Sequence, residues 1–341
     1  MKKITLGNST LDITVSGYGC MGLSEFYKPT AEEQAEKILT KVIESGVNFL
    51  DTADIYGYGH NEKLLSRVLK KYPEKDIVVA TKCGIVRDIN NHLYRDVNNS
   101  RDYIIQCFEK SSERLGRNID LYYLHRVISS PDSLREAMMA LYELRQKGYI
   151  KAIGLSEVNT ETILFAHQFL LELSNGKQGL SAVQTEYSLM SRDIEDNGVL
   201  DLCRKLGISI VAYSPISRGL LSGKLKNLNA LSENDSRRYL PRFEGDNLMK
   251  NNKIVSALSN IANEIGVTPA QLSLAWIINH HTGIIPIPGT RTESYLQENI
   301  GATEIILPAA KLTEIEKIFS EYTAAGTRYP EAFMKAYGML K

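Results

Sequence analysis

Short apolar runs alternate with helix-period segments along most of the chain. Residues 4–15 read as two short strands around the turn Gly7-Asn8-Ser9, a hairpin ahead of the main architecture. Residues 17–21 form a first strand, and its glycines permit close backbone approach. Apolar runs then recur at 47–51, 77–82, 119–125, 149–156, 182–187, 208–214 and 283–289. Between them lie segments of helical period at 31–45, 62–71, 101–115, 131–147, 160–173 and 196–206, several of them stopped by a glycine such as Gly46, Gly116, Gly148 or Gly207. Eight strands with short helical connections predict a parallel sheet, and this number and length favour closure into an α/β (β/α)8 TIM barrel over an open doubly wound sheet. The whole chain, 1–341, is expected to be one domain, with an N-terminal hairpin at 1–16, a long loop or lid after strand seven at 214–249, and an extra C-terminal helix and tail at 308–341. The connection after strand seven is about thirty residues, well beyond the usual loop, and its glycines and arginines favour a functional lid over a disordered insertion. Helices are also expected at 250–266, at 268–279 with Thr268 as N-cap and Pro269 at the first helical position, and at 308–322.

Composition narrows the function classes. At 341 residues, 43% apolar and 23% charged, the chain buries a sizeable core. Forty basic and forty acidic residues remove any global electrostatic reason to expect nucleic acid or an anionic membrane as partner. No apolar stretch of about 20 residues occurs, and the N-terminus lacks the apolar run of a signal peptide, so a cytoplasmic protein is expected. Cys20, Cys83, Cys107 and Cys203 are widely spaced, without CxxC, and indicate neither a zinc site nor a disulfide framework. The helix faces outside a barrel are amphipathic in any assembly, so the pattern carries no oligomeric state.

In a barrel, polar residues at the carboxyl ends of the strands share one opening, where active sites lie. Those ends supply Asp51 and Tyr56 after strand two, Lys82 after strand three and His125 after strand four. Val47, Phe49 and Asp51 fall on one face, so Asp51 interrupts a core-facing row and needs a cation, which Lys82 can provide. An ammonium near a phenol stabilises the phenolate, and a histidine at the same point can hydrogen-bond a carbonyl. Such an assembly suits carbonyl reduction. Singly, each residue has an ordinary reading: a turn cap, a surface ion pair, a core histidine, a loop aromatic. The sequence GYGCMG at 17–22 matches G-x-G-x-x-G, but LSEFYKPT follows it where a dinucleotide-binding unit opens its helix, and Asp51 lies too far on to be the ribose acid.

Several longer motifs carry a family resemblance. SGYGCMGLS at 16–24 in part, FLDTADIYGYGHNE at 49–62, ATKCG at 80–84, DLYYLHR at 120–126, GLSE at 154–157, QTEYS at 184–188, AYSPISRGLLSGK at 212–224 and IPIPGTR at 285–291 resemble the aldo-keto reductases over nearly the whole length. The resemblance implies a catalytic tetrad of Asp51, Tyr56, Lys82 and His125, with Tyr56 as general acid, Lys82 and Asp51 tuning it, and NADP(H) bound across the barrel mouth. Carried over by position, Ser156 and Gln184 hold the carboxamide, Glu157 stands beside them, Tyr213 stacks on the nicotinamide, and Gly19, Cys20 and Met21 line its other side, with Asp51 close by. Ser214, Pro215, Ile216, Ser217, Arg218, Gly219 and Lys224 match the pyrophosphate loop; its ordinary reading is a solvated basic loop. Gly289, Thr290, Arg291, Glu298 and Asn299 match the adenosine and 2′-phosphate positions, with Arg237, Arg238 and Arg242 as open alternatives for further charge.

Two departures from the family pattern concern three positions. Glu157 stands where many relatives have asparagine, and Gly289 and Tyr295 stand where many have a cation, so 2′-phosphate recognition rests on Arg291. The implied function is NADPH-dependent reduction of small aldehydes or ketones, with no metal. The alternatives are an NADP(H)-sensing regulatory protein with slow or no turnover and a Schiff-base lyase using Lys82, which Asp51 disfavours by keeping the amine charged. The substrate pocket is expected to draw on Phe26, Tyr27, Tyr58 and Arg126.

Overall fold

The computed structural model describes residues 1–27, 30–91, 94–233 and 235–336. Of the segments anticipated above, position 234 in the 214–249 stretch and the last tail positions, 337–341, lie outside the described residues. Strands β1 (Lys3–Thr5) and β2 (Asp12–Thr14) form the antiparallel hairpin. The chain then alternates as β3 (Tyr18–Gly19), α1 (Glu32–Glu44), β4 (Phe49–Asp51), α2 (His60–Leu69) and β5 (Val78–Cys83). A small antiparallel hairpin follows, β6 (Ile85–Arg87) with β7 (Arg95–Val97). Next come α3 (Arg101–Leu115), β8 (Ile119–Leu124), α4 (Pro131–Gln146), β9 (Ile150–Ser156), α5 (Thr160–Leu173), β10 (Ala182–Glu186), α6 (Asp193–Asp196), α7 (Val199–Leu206) and β11 (Ser209–Tyr213). A run of 3-10 turns leads into α8 (Gly245–Glu264), α9 (Pro269–His280), β12 (Ile284–Pro286), α10 (Glu293–Gly301), α11 (Ala309–Glu321) and α12 (Glu331–Ala336).

The eight parallel strands run β12-β11-β10-β9-β8-β5-β4-β3. The Gly17 N–H donates to the Pro286 carbonyl at 2.9 Å, which brings the last strand back to the first and makes the (β/α)8 barrel. Side chains at the seam are excluded: a Cβ on Gly19 would lie 2.8 Å from the Ile287 carbonyl oxygen, and one on Gly289 2.6 Å from that of Gly19. These two glycines allow backbones to touch where the barrel closes.

Alternation along the strands sorts two cores. Phe49, Val78, Ala80, Leu121, Tyr123, Ala152, Ala182, Val211 and Ile285 fill the barrel interior, and Leu6, Leu11 and Ile13 of the hairpin plug its amino-terminal end. Leu50, Val79, Tyr122, Leu124, Ile153, Leu155, Val183 and Ile210 face outward beneath the helices. The anticipated N-cap is present: Thr268 accepts from the Gln271 N–H at 3.1 Å, and Gln271 answers through the Thr268 N–H at 3.1 Å. The helix expected at 196–206 is instead split, because Gly198 takes a left-handed φ of 83° between α6 and α7. The final helix of the long connection begins at Gly245 rather than at residue 250. After the GYGCMG motif comes a 3-10 turn, Met21–Leu23, with α1 opening only at Glu32, so the dinucleotide-binding unit that motif suggests does not form. Among the described residues no helix is long and apolar enough to cross a membrane.

Candidate active site

The period of two that fills the barrel also builds its mouth. Phe49 leads to Asp51, Val78 and Ala80 to Lys82, Leu121 and Tyr123 to His125, Ala152 to Ser156, Ala182 to Gln184, and Val211 to Tyr213. The inward row of each of these six strands therefore ends in a polar residue at the carboxyl end, whereas those of β3 and β12 end in Gly19 and Ile287. Gly154 supplies room in this stack, since a Cβ there would lie 2.3 Å from the Tyr123 ring. Tyr56 arrives from the loop after β4, which Asn61 of α2 fixes. Its Oδ1 accepts from Thr52 Oγ1 at 2.6 Å, its Nδ2 donates to the Cys20 carbonyl, and its own N–H donates to the Tyr56 carbonyl at 3.2 Å.

Lys82 is fully buried and donates to Asp51 Oδ1 at 2.5 Å and to the Thr52 carbonyl at 2.7 Å. Gln184 Nε2 donates to the other carboxylate oxygen at 2.8 Å. The Lys82 Nζ stands 5.3 Å from the centre of the Tyr56 ring, and the rings of Tyr56 and His125 meet edge to face at 5.9 Å. Burial pushes the Tyr56 phenol well above its ordinary range, Asp51 adds to the rise, and Arg126 opposes it. Burial also raises the Asp51 carboxyl, against the pull of Lys82 and Gln184. His125 is held well below its usual value by burial and by the charges of Lys82 and Arg126, which makes it a neutral imidazole; its Nδ1 is buried without a hydrogen-bond partner among the described residues.

These side chains open on a cavity of about 760 Å³. Gly19, Met21, Asp51, Ser156, Gln184 and Tyr213 line it on the strand side. Ser214, Pro215, Ile216, Arg218, Gly219 and Lys224 line it from the segment after β11. Gly289, Thr290, Arg291, Glu298 and Asn299 line its far end around the start of α10. Three anticipated cofactor residues stand back from it. Cys20 is wholly buried, its N–H bonded to the Asp51 carbonyl. Ser217 turns inward to Ser188 Oγ at 2.8 Å. Glu157 points to Arg328 Nη1 at 3.2 Å and accepts from the Glu186 N–H at 3.0 Å; burial would raise this carboxyl, but Arg328 and Arg126 hold it below its ordinary range. Lys82 lies behind Asp51 rather than on the cavity surface. Of the pocket residues expected, Phe26, Tyr27 and Arg126 line the cavity, whereas Tyr58 lies beneath Arg87, 4.2 Å from its ring centre.

The backbone after β11 is unusual. Ser214, Ser217 and Arg218 have φ of 50°, 45° and 55°, and Gly219 has 90°. Left-handed residues in such a run turn successive N–H groups toward one point, an arrangement suited to anions, and non-glycine residues there carry strain that clusters at ligand sites. Of the three arginines left open in this segment, Arg237 lines the cavity, paired with Asp235 at 2.7 Å. Arg238 holds the Leu228, Leu231 and Ser232 carbonyls, and Arg242 is buried against Ser191, Met190 and Glu186.

A family model described as the aldo/keto reductase family matches residues 17–320. The chain belongs to that family. Similar proteins include an aldo-keto reductase of Schizosaccharomyces pombe whose name specifies NADP(+), 38% identical over 329 residues, covering 95% of this chain and 93% of that protein. A probable aldo-keto reductase of Glycine max is 37% identical over 331 residues, covering 96% and 92%. Among solved structures, a glycerol dehydrogenase of Gluconobacter oxydans superposes with a TM-score of 0.83 at 22% identity, covering 95% of this chain and 97% of that one, a likeness of fold. A thermostable aldo-keto reductase in complex with the inhibitor epalrestat gives 0.70 at 27% identity, covering 93% and 100%.

In this aldo/keto reductase the C-terminal segment adds residues that the sequence pattern does not reveal. Tyr329, Pro330 and Phe333 line the cavity, and the Tyr329 hydroxyl accepts from Arg218 at 2.6 Å and lies 3.4 Å from the Tyr213 hydroxyl. Asn251 clasps Ala325 through both backbone groups, at 2.8 and 2.9 Å, and so holds the segment in place. Elsewhere, among the described residues, Glu195, His280 and His281 bring ligand-type atoms within 4.8 Å of one another. Glu195 there is engaged by Arg192 and Tyr187, which makes the group part of an ion-pair network outside the barrel.

Proposed function

We propose that this chain is an NADPH-dependent reductase that converts aldehydes or ketones to alcohols, working as a single barrel domain over 1–341. In that domain the hairpin at 1–16 closes the base, the 214–249 segment covers the cofactor, and Tyr329, Pro330 and Phe333 of the C-terminal segment close the mouth. The observation that carries the reading is the convergence of Asp51, Tyr56 and His125 on one wall of a cavity, with Lys82 directly behind Asp51, while the other end of the cavity is a left-handed, basic loop. Such a cavity falls within the range of about 300–1,000 Å³ usual for small-molecule sites.

The residues fit the cofactor. The N–H groups of the 214–219 loop, with Arg218 and Lys224, suit a pyrophosphate. Ser156 and Gln184 suit a carboxamide, Tyr213 offers a flat face, and Arg291 beside Thr290 suits a 2′-phosphate. When bound, NADPH supplies the hydride. Tyr56 supplies the proton: its phenol is neutral at every working pH, as a general acid must be before reaction. His125, neutral and edge-on to Tyr56, donates a hydrogen bond that orients the carbonyl oxygen. Lys82 uses two N–H donors on Asp51 and Thr52, and retains a third for the phenolate as the proton leaves. Asp51, gripped by Lys82 and Gln184, holds that ammonium in place. Location in the cytoplasm accords with this role.

The test is NADPH consumption measured over a panel of aldehydes, ketones, sugars and quinones. Turnover of at least one carbonyl class, with alcohol as product, is expected. Tight NADPH binding without turnover of any member would contradict the reading and favour a cofactor-sensing role.

A further inference from the structure

Arg218 lines the cavity from the loop after β11, where a φ of 55° holds it in the left-handed turn. Its backbone is fixed from outside that turn: its carbonyl accepts from Arg237 Nη1 at 3.0 Å, and Arg237 is paired with Asp235 at 2.7 Å. Its side chain has two neighbours that compete for it. Nη2 donates to the Tyr329 hydroxyl at 2.6 Å and lies 3.5 Å from Glu186 Oε2. The second distance is too long for a strong bond, and the other Glu186 oxygen already accepts from Ser191 Oγ at 2.7 Å and meets Arg242 Nη1 at 3.4 Å. Glu186 is buried and does not line the cavity, so an Arg218 released from Tyr329 has a carboxylate to turn to that draws it away from a ligand.

Tyr329 stands on a well-anchored backbone. Gly326, with a φ of 82°, packs so closely on Pro241 that a Cβ would lie 2.7 Å from the Pro241 carbonyl oxygen. Arg328 is tied to Glu157, and Thr327 Oγ1 donates to the Tyr329 carbonyl at 2.7 Å. The Tyr329 ring stacks on Phe333 at 5.1 Å, and the Arg218 guanidinium lies 4.9 Å from its centre. Arg218 is thus gripped by a hydroxyl and by a ring face together. A guanidinium held in this way has little rotamer freedom left to lose when an anion arrives.

We propose, on the reductase reading, that Tyr329 is a positioning residue for the cofactor: its hydroxyl keeps Arg218 from Glu186 and aims the guanidinium at the pyrophosphate of NADPH. The C-terminal segment then acts on the cofactor's phosphates through a residue 111 positions away.

The experiment measures three affinities by calorimetry on the full chain, in the wild type and in Tyr329→Phe, which keeps the ring and removes only the hydroxyl. NADPH carries both the pyrophosphate and the nicotinamide, 2′-phospho-ADP-ribose lacks the nicotinamide, and adenosine 2′-phosphate lacks both. In Tyr329→Phe the first two are expected to bind about twofold to tenfold more weakly, the usual worth of an immobilised side chain, and the third equally well. In an Arg218→Ala background, adding Tyr329→Phe is expected to weaken NADPH no further. Unchanged NADPH affinity in Tyr329→Phe overturns the proposal. A loss that extends to adenosine 2′-phosphate also overturns it, since that marks a general change in the cavity. So does a loss confined to NADPH, which moves the effect to the nicotinamide and to the Tyr213 hydroxyl, 3.4 Å from that of Tyr329. Losses that add in the double variant sink it as well. Binding judges Tyr329 and turnover judges the reductase reading. If the wild type binds NADPH but reduces no carbonyl, the reading fails and the three affinities still decide the role of Tyr329. If the wild type does not bind NADPH, both fail.

Discussion

At the scale of single residues, the most unusual acid lies outside the tetrad. Asp54, two positions before Tyr56, has a carboxyl oxygen cut off from water and without a hydrogen-bond partner among the described residues. Burial and the adjacent Glu62 push its carboxyl up to about 8, against Arg114, the Ile55 N–H and the Cys107 thiol. Cys83, Tyr103 and Tyr122 face the same group. An unfolded aspartate titrates near pH ~3.9. Between that value and about 8 the unfolded chain gives up this proton while the folded one keeps it, so stability falls as pH rises through the window and is level above it. Asp54→Asn is therefore expected to gain on the wild type progressively from pH 5 to pH 8 in urea midpoint; a gain independent of pH would refute the assignment. Arg291, at the far end of the cavity, is the residue expected to read the 2′-phosphate. In Arg291→Ala, NADPH affinity measured by fluorescence titration should fall by about tenfold or more with NADH nearly unaffected, and equal loss of both would remove it from that role. The Asp51–Lys82 pair was legible in the sequence because a strand fixes which residues share a face, and a buried acid needs a cation.

At the scale of elements, the C-terminal segment shows where local pattern stops. The barrel strands and most helices follow from periods of 2 and 3.6, and their ends from glycines. The contacts of Arg328 with Glu157, 171 positions apart, follow from neither. The hairpin of β6 and β7 was also missed, its strands of three residues being too short to show a period, and α10 was hidden in a stretch read only for its motif. Glu157 was visible as a departure from the family pattern, but its partner was not. Glu157 and Arg328 are both largely buried, at 4% and 11% side-chain exposure, so removing one leaves the other charge stranded. Arg328→Met is expected to destabilise by about 3–5 kcal/mol in urea unfolding. Adding Glu157→Gln should recover part of that, and a double variant no more stable than the single would show that the pair does not couple.

At the scale of the whole molecule, the barrel brings the ends of β4, β5 and β8 and the loop after β11 around one cavity, and the hairpin and inner core hold them there. Closure between β3 and β12 sets Gly19 against Gly289, so the two chain segments that meet at the seam are also walls of the site. The proposed mechanism asks one thing of this assembly: that hydride arrive on carbon while Tyr56, and no other group, delivers the proton. The most direct measurement is single-turnover reduction of an aldehyde by enzyme loaded with NADPH deuterated at the transferring position, in wild type and Tyr56→Phe, with NADPH affinity measured alongside. The account predicts deuterium on the carbinol carbon in the wild type, and in Tyr56→Phe a rate lower by about two to four orders of magnitude with cofactor affinity retained. Reduction by Tyr56→Phe at the wild-type rate would contradict it.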